Sequence, residues 1–194
     1  MLGLLAPTHP DWIDAARSDL DAVLHDHLHC ELKAASNATA LVARYPMFSR
    51  LVRTLSELAR EELTHVQQVY AELEARGFNP RPPGEDPYAG ALRKASLVDT
   101  PHGDLGPLLD RLTVGALIEA RSCERFSLLR DHAPTEPMRA WYGQLFISEA
   151  QHYRLFASLA EEIAGESVAR KRLQELAVRE AEILKKLPIS PRIH

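Results

Sequence analysis

Apolar residues recur every three or four positions through four long segments of the chain, and stretches of alternating apolar and polar residues are hard to find. The spacing predicts a first helix over about 10–44, stopped at Tyr45-Pro46 because the residue before a proline is pushed out of the helical region. A second is predicted over about 48–76, with Gly77 as the residue just past its end and the prolines of "RGFNPRPP" barring continuation. The connection that follows, "NPRPPGEDPYAGALRKASLVDTPHG", is too long for a tight turn and reads as a crossover with a short helix near 87–97. Helices over about 104–131, 135–163 and 166–186 complete the pattern. Two helices, a long connection, two helices and one more is the order of an all-α, ferritin-like four-helix bundle with an appended C-terminal helix. The expected organisation is a single domain over 1–194, built from helix pairs at about 10–76 and 104–163 with a C-terminal helix and tail at 166–194.

Each of the four apolar stripes is interrupted at mid-length. The first reads Leu20, Leu24, His27, Glu31, Ala35, Ala38, Leu41, and the second Leu51, Leu55, Leu58, Glu62, His65, Val69, Leu73. The third reads Leu105, Leu109, Leu112, Ala116, Glu119, Cys123, Phe126, and the fourth Met138, Trp141, Leu145, Glu149, His152, Phe156, Leu159, Ile163. An isolated ionised carboxylate in a core is prohibitively costly, and several at one level repel each other. A pair of divalent cations resolves both problems, and imidazole beside carboxylate suits iron or manganese.

The spacing repeats. Glu62-x-x-His65 and Glu149-x-x-His152 each place two ligands one turn apart on one helix face, and Glu31 and Glu119 precede them by 31 and 30 residues. A single E-x-x-H is commonly surface charge; two copies on core stripes, each preceded by a lone core Glu, match the ligand set of a dinuclear carboxylate bundle. The metal-ligand candidates are therefore Glu31, Glu62, His65, Glu119, Glu149 and His152.

Neighbouring residues carry weaker readings. Glu61 points off the stripe to solvent, and Glu124 is an alternative to Glu119 that breaks the repeat. His27 stands one turn before Glu31 as a supporting group. His25 and His29 are expected at the surface, and Asp26 is a candidate acceptor for a ligating histidine. Cys123 reads as a small core residue, and Tyr45, Tyr142 and Tyr153 lie near the bundle.

Composition narrows the class. The chain is ordinary for a globular protein, with 45% hydrophobic and 26% charged residues, and it has no apolar run of the ~20 residues that span a bilayer. The start has no secretory-signal pattern and the two cysteines make no disulfide framework, so a cytoplasmic address is expected. The formal charge of −4 is uneven: 170–194 holds seven Lys/Arg against three Glu, a net +4, leaving −8 for the rest. Lys171, Arg172, Lys185, Lys186 and Arg192 are candidate phosphate contacts on that basic segment.

With these residues in hand, the chain resembles the MiaE family, tRNA hydroxylases acting on 2-methylthio-N6-isopentenyladenosine beside the anticodon. The resemblance runs nearly end to end, on "DHLHCELKAA" at 26–35, "EELTHVQQV" at 61–69, "GALIEARSCERF" at 115–126, "SEAQHYRLF" at 148–156 and "SPRIH" at 190–194. It implies two iron ions on the six ligands, O2 as co-substrate, hydroxylation of an allylic methyl of the isopentenyl group, a tRNA substrate, and electrons from an external ferredoxin or reductase. The E-x-x-H pairs by themselves also suit another ferritin-like redox protein, manganese-catalase-like, a ferroxidase or an iron store.

Overall fold

A computed structural model describes residues 2–99 and 103–194; the end of the expected crossover, 100–102, lies outside them. Among the described residues the secondary structure is seven helices: α1 (Trp12–Ser18), α2 (Leu20–Arg44), α3 (Ser49–Ala75), α4 (Pro87–Ser96), α5 (Gly106–His132), α6 (Glu136–Ala164) and α7 (Glu166–Lys186). None is long and apolar enough to cross a membrane.

The first predicted helix is two. Asp19 breaks it: its side chain accepts the Ala22 N–H and caps α2, leaving α1 as a separate short turn of helix. At the other end of the pair, Gly77 takes φ +71°, with its N–H on the Glu74 carbonyl and the Phe78 N–H on that of Leu73. That is a Schellman closure, and it needs a residue without a Cβ penalty in the left-handed region. α4 starts the same way as α2, with Asp86 accepting from Ala89 N–H ahead of Pro87.

The chain forms two compact units, each discontinuous in sequence: Asp14–Glu85 with Ser190–Ile193, and Met1–Ile13 with Asp86–Ile189 and His194. In the first unit α2 packs on α3. All seven residues of each predicted stripe are buried there, Glu and His included. Each leucine or valine among them contributes on the order of 1.5–3 kcal/mol through burial.

In the second unit α5 packs on α6, and α7 lies against α4, α5 and α6. Gly115 sits where an added Cβ would stand 3.1 Å from the Phe156 ring, so the close approach of α5 to α6 depends on it. Leu105, expected to start the α5 stripe, is instead an exposed residue ahead of the helix, and Trp141 and Ile163 of α6 are half-buried. Tyr142, beside Trp141, is the fully buried aromatic.

An ion-pair network ties α7 down. The Arg121 guanidinium, fully buried, donates to Glu180 Oε1 at 2.8 Å and to the Ala6 carbonyl, and it also pairs with Glu124. Tyr88 donates its hydroxyl to the same Glu180 oxygen at 2.9 Å; burial, then the Glu180 carboxylate, holds that hydroxyl well above its ordinary pKa. Glu124 accepts from Thr8 N–H and Oγ1, which fixes the N-terminal segment.

Candidate metal centre

Each unit brings together one of the two ligand triads. In the first, ligand atoms of Glu31, Glu62 and His65 lie within 4.8 Å of one another, all buried. His65 Nδ1 stands 3.5 Å from Glu31 Oε2 and 3.4 Å from Glu62 Oε2. Helix geometry supplies this: Glu62 and His65 are three residues apart on α3, so both project from one face toward α2. His27, one turn before Glu31, places Nε2 2.6 Å from Glu31 Oε1 and holds that carboxylate in position. His65 Nε2, the nitrogen turned the other way, lies 4.0 Å from the carboxylate of the half-exposed Glu61.

The second unit repeats the arrangement. Glu119 on α5 and Glu149 and His152 on α6 have ligand atoms within 4.8 Å of one another, all buried. His152 Nδ1 is 3.6 Å from Glu149 Oε1, and that oxygen has no hydrogen-bond partner among the described residues. Contacts of 3.4–3.6 Å between ring nitrogens and carboxylate oxygens are too long for good hydrogen bonds. They suit donors gathered around a small cation. The donor chemistry agrees: each triad is two carboxylates and one imidazole with no Lys or Arg in it, a set for iron or manganese. Cys123, one turn past Glu119, donates its S–H to the Phe146 carbonyl; burial, with Glu149 next in weight, pushes the thiol up to about 12. The protonated thiol packs among the buried residues of α5.

Several neighbours are elsewhere than the sequence suggested. Glu124 is committed to Arg121 and Thr8 and takes no part in the triad. Asp26 accepts the Ile193 N–H at 2.8 Å and the Cys30 S–H, so it anchors the C-terminal tail. His25 and His29 are half-buried and buried, each with Nε2 within 2.9 Å of the Arg81 carbonyl oxygen. Neither pairing was legible, because the partners lie more than fifty positions away.

The basic segment divides. Lys171, Lys185 and Lys186 are exposed. Arg172 is not available to a phosphate: it is 2% exposed, paired with Asp110 at 2.8 Å and donating to the Ser96 carbonyl. Arg179 likewise donates to the Ala95 and Val98 carbonyls. Arg192 donates to the Glu85 carbonyl at 2.8 Å, and His194 stacks on Tyr88 with 5.2 Å between centroids. Within "PRIH", Arg192 and His194 are thus each engaged by the chain itself.

Paired helices that each contribute a lone Glu and a Glu-x-x-His define a class, the ferritin-like dinuclear carboxylate proteins. Known proteins agree on fold and family. A solved structure described as "Protein 43 with aldehyde deformylating oxygenase activity from Synechococcus" superposes with a TM-score of 0.89 and 38% identity, covering 98% of this chain and 94% of the other. The tRNA 2-(methylsulfanyl)-N(6)-isopentenyladenosine(37) hydroxylase of Pseudomonas putida is 39% identical over 188 residues, 97% of this chain and 89% of the relative. The Salmonella typhimurium protein of the same description is 32% identical, over 87% of this chain and 78% of its own length. Residues 2–194 match the family described as tRNA-(MS[2]IO[6]A)-hydroxylase (MiaE), and the chain belongs to that family.

Proposed function

We propose that the chain hydroxylates the isopentenyl group of 2-methylthio-N6-isopentenyladenosine in tRNA, next to the anticodon. The observation that carries this is the joint one: a family match along the whole described length, on a chain whose buried Glu/His triads are doubled. Glu31, Glu62 and His65 with Glu119, Glu149 and His152 hold two iron ions, and 1–194 acts as one functional domain. Bound there, ferrous iron would supply a redox-active Lewis acid that activates O2. Each turnover consumes O2, two electrons and two protons; one oxygen enters the allylic C–H bond and the other leaves as water.

The chain's own residues do the rest. His27 fixes Glu31, and the ring of Phe156, one turn past His152, keeps that layer dry. The electrons come from an external ferredoxin or reductase, since Cys30 and Cys123 are the only cysteines and no C-x-x-C is present. Lys171, Lys185 and Lys186 are the candidate phosphate contacts on α7, and the setting is the cytoplasm, where tRNA is processed.

The test is nucleoside mass spectrometry on tRNA carrying the isopentenyl modification, incubated with iron-loaded protein, a chemical reductant and O2. The expected result is a gain of one oxygen on that nucleoside alone, absent with Glu119→Ala. The name of the Synechococcus structure motivates a second arm with a long-chain aldehyde. Loss of the aldehyde with release of its formyl carbon, and no change in tRNA, would replace this reading with that one.

A further inference from the structure

A cavity of ≈ 440 Å³ lies wholly within the unit of α2 and α3, and none of the metal-ligand candidates lines it. It is lined by His25, His29 and Lys33 of α2, by Phe78 and Arg81 just past α3, and by Arg192 of the tail, among others. At 100° per residue, His25, His29 and Lys33 fall on the side of α2 opposite the stripe of Leu24, His27 and Glu31. The cavity and the metal ligands thus face opposite ways from one helix.

Its walls are built. The Schellman closure at Gly77 places Phe78 at the rim, with its ring 5.7 Å from that of His25. His25 and His29 meet edge to face at 4.7 Å, and both Nε2 atoms stand within 2.9 Å of the Arg81 carbonyl, pinning the segment that carries the Arg81 side chain. Lys33 and Arg81 are exposed at the mouth. The charges balance: Lys33, Arg81 and Arg192 face Asp19, Asp26 and Glu85. Asp19 caps Ala22 N–H, Asp26 holds Ile193 N–H, and Arg192 donates to the Glu85 carbonyl. An evenly charged cavity is a poor trough for a long polyanion. An aromatic wall with two cations at its mouth fits one base and one phosphate.

We propose that this cavity seats a single nucleotide of the RNA substrate other than the reacting one, its base against Phe78 and His25 and its phosphate on Lys33 and Arg81. Loop nucleotides of RNA are recognised in this manner, splayed out and stacked on aromatic side chains, with cations on the backbone. Its volume lies in the range of ligand sites. The inference rests on the tRNA reading above and adds to it a second point of grip on the strand.

The experiment titrates a labelled anticodon stem-loop RNA, at several salt concentrations, into the iron-loaded wild type, Phe78→Ala, Phe78→Trp and the double variant Lys33→Gln/Arg81→Gln. Phe78→Ala is expected to weaken binding on the order of tenfold and Phe78→Trp to restore it. The double variant should flatten the plot of log K against log salt by about 0.7, one phosphate contact's share on a single strand. Iron per chain and melting temperature should stay at the wild-type values, and KM for tRNA should rise at unchanged kcat. RNA binding by the wild type, with an unaltered Kd and salt slope in Phe78→Ala and in the double variant, would overturn the subsite and leave the hydroxylase reading standing. No RNA binding by the wild type would overturn both. A free mononucleotide that competes at the same affinity as the RNA would make this a small-molecule site and overturn the assignment to RNA.

Discussion

A carboxylate on a dry helix face must be held, and Glu31 has His27 against it at 2.6 Å. Such supporting groups commonly change metal affinity by 10–100-fold when lost. His27→Ala should therefore raise the iron Kd by about that factor at constant fold, measured by competition with a chelating dye; unchanged affinity would reduce His27 to packing. Cys123 offers a second check. With its thiol pushed up to about 12, it carries almost no thiolate at pH 8.5, so iodoacetamide should add at most one label per chain, on the half-buried Cys30. A label on Cys123 in the folded protein would contradict this. Residues at this scale were legible where their reason is local. Glu62 and His65 announce themselves by interrupting a stripe, and Glu119 was separated from Glu124 by the repeat spacing. Asp26, Glu124 and Arg172 were not legible, because Ile193, Thr8 and Asp110 reach them only through the fold.

Helices were legible by period and their ends by chemistry. Gly77 and Pro87 marked boundaries that the structure keeps within a residue or two. The break at Asp19 was missed because the apolar spacing runs on across it, and only the cap on Ala22 reveals it. The basic run in α7 invited a reading as a phosphate-facing surface, yet Arg172 and Arg179 bind the chain's own carbonyls and carboxylates. The packing of α7 hangs on Glu180, whose side chain is fully buried against Arg121 and Tyr88. Removing one partner of a buried pair leaves an uncompensated charge and costs about 3–5 kcal/mol. Glu180→Ala should lose that much in urea unfolding. A loss below ~1 kcal/mol would mean that Glu124 and Thr8 satisfy Arg121 without it.

For the whole chain, the two helix pairs are variations on one design: a lone Glu on one helix, Glu-x-x-His on the next, apolar residues above and below. That repeat was visible in the sequence because a metal-binding function would fix residue type and spacing together. What the repeat left open, catalase or ferroxidase or hydroxylase, is narrowed by the family match over 2–194. Paired carboxylates in each unit repel one another until a cation neutralises them, so metal should contribute to folding. At a metal concentration 100 times its Kd, the linkage is worth about 2.7 kcal/mol. For a chain of this length that amounts to roughly 5–10 °C in Tm, lost on exhaustive chelation and regained on adding iron.

The most direct measurement is the iron content of the anaerobically reconstituted protein, taken beside Glu62→Ala and Glu149→Ala, one change in each triad. Two irons per chain are expected in the wild type, with loss of bound iron in either variant at retained helical content. A wild type that binds no iron, or variants that keep both ions, would contradict the claim that the interrupted stripes exist to hold metal.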